Sequence, residues 1–430
     1  MTDPPSDPGP HPHGPHTRRT VEVMSVSGRT LGSCPPLVRA LGAVKAATAA
    51  ANGEARTLDA EVAEALVAAA RLMASGHVDA AALPADLLAG GGSIAVHMNV
   101  NEVLAALAGA DLGRPASGPR SVDPKAHAGA SQSTADVWHT AARLAVLDQA
   151  AALVAALGQV VATLSDVAER FSTVPTLART CLRDGLVAPL STVFAGSAEA
   201  LVRRCDALVG TLEPLNQVVL GSTVIGRGDG APPAYRELVV ERLARETGIP
   251  LRPHPTPSSA LQHGDDLVAV SSAVAQISHP LLKLAADLRL LGSGPVGGFG
   301  EIVLPDVLDG SSFFAGKSNP VVPETVIQAC LQVHGLDHTV QLAAGRAELY
   351  LQVLDGLVTV NVLDSLALLA TAADRLDRYV LRDLRADVAR CTELAQSVSA
   401  SEARAERDIP GGRNPDLPAL GPDPIPGATR

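Results

Sequence analysis

Aromatic residues are scarce in this sequence: they make up 2% of the chain, although 47% of its residues are hydrophobic. Alanine, leucine and valine fill the apolar positions instead. Such a composition favours closely packed helices over an all-β core. With 430 residues the chain can bury one or more substantial cores, so we predict a mostly α fold.

An excess of positive charge is also lacking, since the net charge is −11. Proteins that bind nucleic acid or anionic membranes usually present a basic surface. Long apolar runs are missing too. The longest uncharged stretches, such as 149–165, contain polar residues and fall short of the roughly 20 apolar residues that span a bilayer. We therefore expect no nucleic-acid partner and no membrane segment.

Cysteines are few and scattered, and they form no CxxC pair. This spacing is typical of neither a zinc site nor a disulfide framework. We expect no metal ion, and nothing else in the sequence indicates a cofactor. A reducing cytoplasm fits such thiols. The five cysteines are Cys34, Cys181, Cys205, Cys330 and Cys391.

Helical periodicity dominates the middle of the chain, whereas both ends are rich in Pro, Gly and Asp and bury too little apolar surface to offset ordering entropy. We predict a disordered tail at 1–18 and an N-terminal helical domain at 19–135. A central helical bundle is predicted at 136–395, followed by a truncated C-terminal region and disordered tail at 396–430. The long helical segments that imply the bundle are 136–171, 190–212, 265–291, 324–351 and 361–398.

The segment from Gly310 to Pro320 concentrates polar side chains between an extended stretch and a helix that is predicted to begin near Glu324. Hydroxyl groups, one ammonium group and one amide beside a helix N-terminus suit the binding of a carboxylate. Glycines near both of its ends permit the loop to move. Taken alone, the segment has a second interpretation as a Ser/Gly-rich turn with a solvated lysine.

Four further segments accompany this loop, and together they carry a family resemblance. They are His97-Met98-Asn99-Val100-Asn101-Glu102-Val103, Ser131-Gln132-Ser133-Thr134-Ala135-Asp136, Arg179-Thr180-Cys181 and Leu220-Gly221-Ser222-Thr223-Val224-Ile225-Gly226-Arg227-Gly228. These segments resemble the motifs NMNxNEV, SQSSND, RTH and GGTAVGTG of the aspartase/fumarase superfamily. The loop resembles that family's signature GSSxMPxKxNP. The resemblance covers about Leu37 to Ala395.

The resemblance implies a central five-helix bundle that associates into a twenty-helix homotetramer. It also implies active sites assembled from three subunits, so that a monomer has no complete site. The implied activity is a lyase that removes a proton beside a carboxylate of a dicarboxylate substrate. That step creates an enediolate, which needs preorganised donors where the negative charge grows.

The resemblance also assigns roles to individual residues. Catalysis falls to Ser311, Lys317 and Glu324. Substrate binding falls to Ser133, Thr134, Thr180, Cys181, Ser312, Asn319, His97 and Asn99. A serine acts as a base only if loop closure desolvates it within a positive field, with Gly310 and Gly316 as hinges. For Glu324, a first-turn glutamate favoured by the helix dipole is the alternative.

Several positions depart from the family pattern and make the pocket more apolar. Ala135 stands where the family has an asparagine that holds the leaving group, and Cys181 stands where many members have histidine. His97 stands for an asparagine, which makes it either a new proton-transfer group or a hydrogen-bonded histidine. For Cys181, a buried small thiol is expected rather than a nucleophile. The other replacements are Ile94, Val96, Phe314 and Ala315.

Three hypotheses of function remain open on the sequence. The first is a lyase that forms fumarate or a related enoate from a succinyl-type substrate, with a leaving group other than ammonia or water, or runs in reverse. That group would be an amine or an anion such as nitrite. The second is an aspartate ammonia-lyase or a fumarase. The third is a non-catalytic structural or regulatory homologue.

Overall fold

The computed structural model describes residues 13–308 and 310–397, and helices dominate that part of the chain. The helices are α1 (Pro15–Met24), α2 (Pro35–Glu54), α3 (Ala60–Ala74), α4 (Ile94–Asp111), α5 (Thr134–Arg170), α6 (Ser191–Leu212), α7 (Pro233–Thr247), α8 (Pro257–Gln262), α9 (Asp265–Leu291), α10 (Val321–Ala344) and α11 (Asp355–Leu376). A last helical stretch covers 388–397. The predicted mostly α fold is confirmed.

The central bundle consists of the long helices α5, α6, α9, α10 and α11. Each of them packs on the next in that order, and α11 closes the ring against α5. In α5 the side chains of Leu153, Leu157, Val160 and Leu164 are fully buried, at the spacing of one helix face. Truncating such a leucine to alanine typically costs about 2 to 5 kcal/mol. The five-helix bundle predicted from the sequence is therefore confirmed.

The N-terminal helices pack beside one end of the bundle. Helix α2 contacts α3, α5 and α7, and α3 contacts α4. At Gly42 of α2 an added Cβ would lie 2.4 Å from the backbone nitrogen of Ala74 at the end of α3. Only glycine permits so close an approach of two helices. The domain boundary predicted near residue 135 lies in the first turn of α5.

The strands are short and pair locally. They are β1 (Pro175–Thr180), β2 (Arg183–Pro189), β3 (Gln217–Val218), β4 (Arg252–Pro253), β5 (Ile302–Val303) and β6 (Arg385–Ala386). The first two form an antiparallel hairpin, β3 and β4 pair in parallel, and β5 and β6 pair antiparallel. The last pair ties the chain that enters the 310–320 loop to the segment that follows the bundle.

Three predicted boundaries need correction. Residues 15–18 were predicted to be part of the disordered tail, but they belong to α1. Residues 1–12 of that predicted tail lie outside the described residues. The helix predicted at 324–351 runs from Val321 to Ala344 and ends at Gly345. The one predicted at 361–398 begins at Asp355 and breaks after a π turn at Asp377–Leu381, because β6 must pair with β5. Most of the predicted C-terminal region also lies outside the described residues.

Three helical segments are long and apolar enough, by length and composition alone, to cross a membrane. These are α5, α9 and 355–381, with mean hydropathies of 1.8, 1.3 and 1.6 over their most apolar windows. We expected no membrane segment from the sequence because we considered only uncharged stretches. These helices contain a few charged residues, yet long windows within them are apolar. Only 39% of the window in α5 is buried within the chain, so this helix keeps an exposed face of small residues such as Ala151, Ala155 and Ala162.

Candidate active site

The predicted site residues lie at the two ends of the bundle. Helix α5 has 37 residues, so its ends are about 55 Å apart at 1.5 Å per residue. Ser133 and Thr134 lie where it begins. The hairpin with Thr180 and Cys181 follows where it ends, and β5 leads from there into the 310–320 loop. One chain therefore does not bring all its predicted site residues together.

Ser133 and Thr134 are held at the amino end of α5. Ser133 caps the helix: its backbone N–H donates to Oδ1 of Asp136 at 2.9 Å, and its Oγ accepts from the backbone N–H of Asp136 at 3.3 Å. Both residues are partly exposed. Free backbone N–H groups and the helix dipole favour an anion at such a terminus. This end of α5 can therefore bind a carboxylate.

Asp136 joins two of the motifs that the sequence analysis found far apart. Its Oδ2 accepts from the backbone N–H groups of Gly221 and Thr223, at 3.0 and 3.1 Å. Both of these residues have positive φ, while the N–H of Ser222 between them donates to the carbonyl of Val219. Burial raises the pKa of Asp136 to about 6. The glycine-rich turn thus braces the start of α5.

His97 is buried beside this helix start and contacts Thr134 directly. Its Nδ1 lies 2.9 Å from Oγ1 of Thr134, and its Nε2 lies 2.8 Å from Nζ of Lys45. Burial and the Lys45 charge lower the pKa of His97 well below its ordinary value, so the imidazole is neutral. Both ring nitrogens are occupied within the protein. Of the two interpretations of His97, the structure favours the hydrogen-bonded histidine.

Lys45 is the group at this end that the sequence analysis missed. Its side chain is 2% exposed, and burial lowers its pKa to about 7. Its partners come from helix α4 and from the loop before α5, which no local pattern reveals. A usable signal exists nonetheless, because Lys45 is the single charged residue between Ala40 and Ala51. We call Lys45, His97, Ser133, Thr134 and Asp136 the amino-end cluster.

Two residues of the His97–Val103 motif serve the fold, one of which, Asn99, was predicted to bind substrate. Asn99 is 0% exposed: its Nδ2 donates to the carbonyl of Ala82 at 3.0 Å, and its Oδ1 accepts from the backbone N–H of Ala85. Its predicted role in substrate binding is therefore corrected. Glu102 accepts from the backbone N–H groups of Gly14, His16 and Thr17, which cap α1.

A buried carboxylate also fixes the start of α11. Oδ1 of Asp355 accepts from Oγ of Ser93 at 2.8 Å, which ties α11 to the turn before α4. Its Oδ2 lies 3.7 Å from Nε2 of His139. Burial raises the pKa of Asp355 to about 7 and lowers that of His139 to about 3. The two groups therefore do not form an ion pair near neutral pH.

At the other end of the bundle, Thr180 and Cys181 lie at the tip of the β1–β2 hairpin. Cys181 and Leu182 form its turn with φ values of 52° and 58°. Both Thr180 and Cys181 are exposed, so the expectation of a buried thiol was wrong. The hairpin base is held by Arg179, whose guanidinium donates to buried Glu301 just before β5. This contact fixes the hairpin beside the chain that enters the loop.

The 310–320 loop presents its polar side chains to solvent. Ser312, Lys317 and Asn319 are exposed, whereas Ser311 is half-buried. Oγ of Ser311 accepts from the backbone N–H groups of Phe313 and Phe314, each at 3.2 Å. These two bonds stabilise negative charge on the oxygen, as a serine base requires. We call this segment the carboxyl-end loop.

The predicted hinges of the carboxyl-end loop differ in backbone geometry. Gly316 has a φ of 76°, which favours glycine. Gly310 has no such angle, but an added Cβ there would lie 2.5 Å from the carbonyl oxygen of Lys317. The loop ends are thus pinned together. The two phenylalanines stand out from it, with Phe313 84% exposed.

Glu324 lies in the first turn of α10, as the sequence predicted. Its carboxylate pairs with the guanidinium of Arg289 at 3.3 Å, and both side chains are partly exposed. Among residues 13–308 and 310–397, no group of three or more His, Cys, Asp or Glu side chains is placed to hold a metal ion.

Comparison with known proteins assigns the family. A family model described as lyase matches residues 10–335. Aspartate ammonia-lyase of Escherichia coli (strain K12) is 33% identical over 379 residues, which cover 88% of this chain and 79% of that protein. The Pseudomonas aeruginosa aspartate ammonia-lyase is 35% identical over 386 residues, covering 89% of this chain and 81% of that protein. The chain therefore belongs to the aspartase/fumarase superfamily of lyases.

Solved structures agree with this assignment. The fumarate lyase:delta crystallin from Brucella melitensis superimposes with a TM-score of 0.88 at 36% identity, covering 94% of this chain and 88% of that chain. A class II fumarase from Schistosoma mansoni superimposes with a TM-score of 0.87 at 24% identity, covering 94% of this chain and 90% of that chain. The second likeness shows the fold.

Proposed function

We propose that this lyase acts on a succinyl-type dicarboxylate, removes a proton from the carbon beside one carboxylate, and expels a leaving group from the neighbouring carbon. The product is fumarate or a related enoate, and the reverse addition uses the same groups. Family membership supports a lyase, and the arrangement of donors around Thr134 supports an anionic substrate.

In this proposal the C–H electrons move into the carboxylate and form an enediolate, while Ser311 takes the proton. The two backbone N–H groups on its Oγ stabilise the serine alkoxide, and Lys317, whose Nζ lies 5.7 Å from the centre of the Phe314 ring, supplies positive charge on the same loop. Ser312, Thr180 and Asn319 donate to the substrate carboxylates together with Ser133 and Thr134. The electrons then form the double bond, and the leaving group departs with its bonding pair. Glu324, paired with Arg289, supports the start of α10 behind the loop.

We further propose that the leaving group is neither ammonia nor water, and the packing of Ala135 carries this proposal. Its methyl group lies in a small apolar cluster with Val219, Ala260 and Leu261, and Leu351 packs against that cluster. At this position the family pattern has an asparagine for the leaving group. A buried methyl group at this position offers the leaving group no hydrogen bond, which suits an amine with apolar substituents, and an anion such as nitrite departs without a general acid.

A second candidate is aspartate ammonia-lyase itself, which the relatives with 33 and 35% identity favour. Ala135 cannot donate to or accept from an ammonium group, and the Cys181 thiol is a weak partner. Losing one hydrogen bond to a charged group typically costs about 1.5 to 3 kcal/mol, or roughly 10 to 100-fold in rate. We therefore expect slow deamination of aspartate.

We also propose a homotetramer with shared active sites. The amino-end cluster and the carboxyl-end loop of one chain are about a helix length apart, so only neighbouring subunits can bring the two together. The exposed small residues of α5 suit close packing between subunits. All five cysteines lie in the described part of the chain as free thiols, which fits an enzyme of the cytoplasm.

The test is a panel of additions to fumarate. The purified protein is incubated with fumarate and, in turn, ammonia, substituted amines and nitrite, and adducts are sought by mass spectrometry. L-aspartate and malate are assayed in the elimination direction. The Ser311→Ala variant under the same conditions is the matched control for adducts that form without the enzyme.

We expect an adduct with a substituted amine or nitrite, formed faster than the ammonia adduct. Aspartate turnover at rates typical of ammonia-lyases would instead support the second candidate. Lack of any reaction with every dicarboxylate in the panel would support a non-catalytic structural or regulatory homologue.

A further inference from the structure

The hydrogen-bond partners of Lys45 favour its charged form. Nζ has three short contacts, to Oδ1 of Asn101 and Oε1 of Gln132 at 2.6 Å each and to Nε2 of His97 at 2.8 Å. The fourth neighbour, the carbonyl of Ala128, lies at 3.2 Å and also accepts from Nε2 of Gln132. Three of these four neighbours are oxygens that only accept, whereas a neutral amine has two N–H groups, so the contacts favour an ammonium group.

The orientation of Gln132 is fixed independently. Its Nε2 donates to the carbonyl groups of Ala128 and Ala130, at 3.2 and 3.0 Å, so its Oε1 must face Lys45. Gln132 therefore presents an amide oxygen, which cannot donate a proton back. Hydrogen bonds from a charged donor favour the charged form and oppose the effect of burial on the pKa.

A charged Lys45 fixes the tautomer of His97. Because the ammonium group donates, Nε2 of His97 must accept, and the ring proton is therefore on Nδ1. Nδ1–H then donates to Oγ1 of Thr134, 2.9 Å away. That bond uses a lone pair of the threonine oxygen. The hydroxyl proton of Thr134 remains free to donate to a group outside the protein.

We propose that Lys45 and His97 form a relay that positions the Thr134 hydroxyl as a hydrogen-bond donor to a substrate carboxylate. This inference rests on the proposed function, because it takes the ligand at the start of α5 to be a dicarboxylate. His97 is a positioning residue in this scheme: both of its ring nitrogens are occupied, and it acts through Thr134. The relay extends from the buried ammonium group to the partly exposed hydroxyl.

The tautomer can be tested without any substrate. The protein labelled with ¹⁵N-histidine is studied by solid-state NMR at pH 6, where Lys45 is charged, and the His97 signals are assigned by their loss in His97→Asn. We expect a protonated Nδ1 and an unprotonated Nε2. A proton on Nε2 would overturn the relay whatever the enzyme binds.

Two substitutions of His97 separate its two contacts. Glutamine can place an acceptor near the position of Nε2 and keep Lys45 bonded, but it cannot reach Thr134 at the same time. Asparagine places an amide near Nδ1 and can still donate to Thr134. Fumarate affinity, measured by calorimetry on the assembled protein at pH 6, should fall about 10-fold in His97→Gln and stay within about 3-fold in His97→Asn. The opposite order would overturn the proposal.

A double-mutant cycle separates positioning from general support of the fold. On a Thr134→Val background, His97→Gln should cost no further affinity for fumarate, because the hydroxyl through which it acts is gone. Additive losses would show that His97 acts elsewhere. If the unaltered protein binds neither fumarate nor succinate, the carboxylate ligand and the proposed function both fail, while the NMR result still decides whether the relay exists.

Discussion

At the start of α5, the partly exposed Thr134 is joined to buried His97 and Lys45 by hydrogen bonds of 2.9 and 2.8 Å. At the far end of the bundle, Ser312, Lys317 and Asn319 stand in solvent on a loop held mainly by its own backbone. The amino-end cluster is preorganised, whereas the carboxyl-end loop is not. A binding surface gains from fixed donors, but a base that must be desolvated needs a part that closes.

This contrast also divides the expected effects of substitution. Changes in the carboxyl-end loop should alter chemistry and leave folding untouched, because its side chains support no other part of the chain. Changes in the amino-end cluster should alter binding and stability together. The following experiments test that division.

The largest effect is expected for Ser311→Ala. If Ser311 is the base, kcat should fall by about 10⁴-fold, near the upper end for general-base catalysis, while assembly and fumarate affinity stay unchanged. Steady-state kinetics and calorimetry measure the two quantities. Ser318→Ala in the same loop is the matched control, and near-normal turnover of Ser311→Ala would contradict the assignment.

The next largest effect is expected when variants altered at opposite ends of the bundle are combined in one tetramer. Ser311→Ala and Thr134→Val are each impaired, but coexpression should give mixed tetramers with about a quarter of normal activity, since a quarter of sites receive both intact residues from different subunits. Activity of the copurified mixture measures this. The pair Thr134→Val and Ser133→Ala, altered at the same end, should give no such recovery. Activity no higher than the mean of the parents would contradict shared sites.

A smaller loss is expected for Ser312→Ala. Removing one donor to the developing enediolate should lower kcat by about 10² to 10³-fold, as does the loss of one oxyanion-hole donor. The loss should appear in kcat more than in KM, because the donor acts where charge develops. An effect confined to KM would mean that Ser312 contacts only the ground state.

The smallest effect concerns stability at the amino end. Asp355 has a pKa of about 7 in the folded protein, whereas the ordinary value for an aspartate side chain is 3.8. Its proton therefore stabilises the fold fully below pH 3.8, and that contribution is lost as pH rises through 7. Asp355→Asn keeps an acceptor for Ser93 and cannot ionise. Asp355→Asn should be more stable than the unaltered protein by about 1 to 3 kcal/mol at pH 8, and this difference in stability should be smaller at pH 5.

Thermal unfolding at the two pH values measures this difference. Asp184→Asn, an exposed position in the β1–β2 hairpin, serves as the control and should show no such dependence on pH. An equal shift of both variants would point to net charge as the cause instead of burial.

Sequence periodicity predicted the bundle well where a helix has apolar faces and clear ends. The limits of α9 agree with the prediction at both ends, since acidic residues begin it and a glycine follows it. The segment after Leu376 was extended too far, because its helical pattern continues while the backbone turns to pair β6 with β5. Pairing of distant strands leaves no mark in local periodicity.

The candidate site residues were predicted only where they belong to a family motif. The helix predicted to begin at Asp136 begins at Thr134, and Ser133 caps it with Asp136, a hydroxyl-plus-acid pattern that the sequence contains but that was assigned only to substrate binding. Asn99 was assigned to the substrate although its side chain holds the 82–85 backbone. Motif membership does not say which way a side chain points, and Lys45 belongs to no motif at all.

The carboxylate of Glu102 ties the start of helix α1 to helix α4. Three backbone N–H groups and the hydroxyl of Thr17 surround its carboxylate. A protein shortened to begin after Thr20 would leave that carboxylate without any of these four donors, inside helix α4 and next to Asn101, which holds Lys45. Deletion of residues 1–20 should therefore weaken substrate binding, because Glu102 would lose its donors beside Asn101, the acceptor for the buried Lys45 ammonium group.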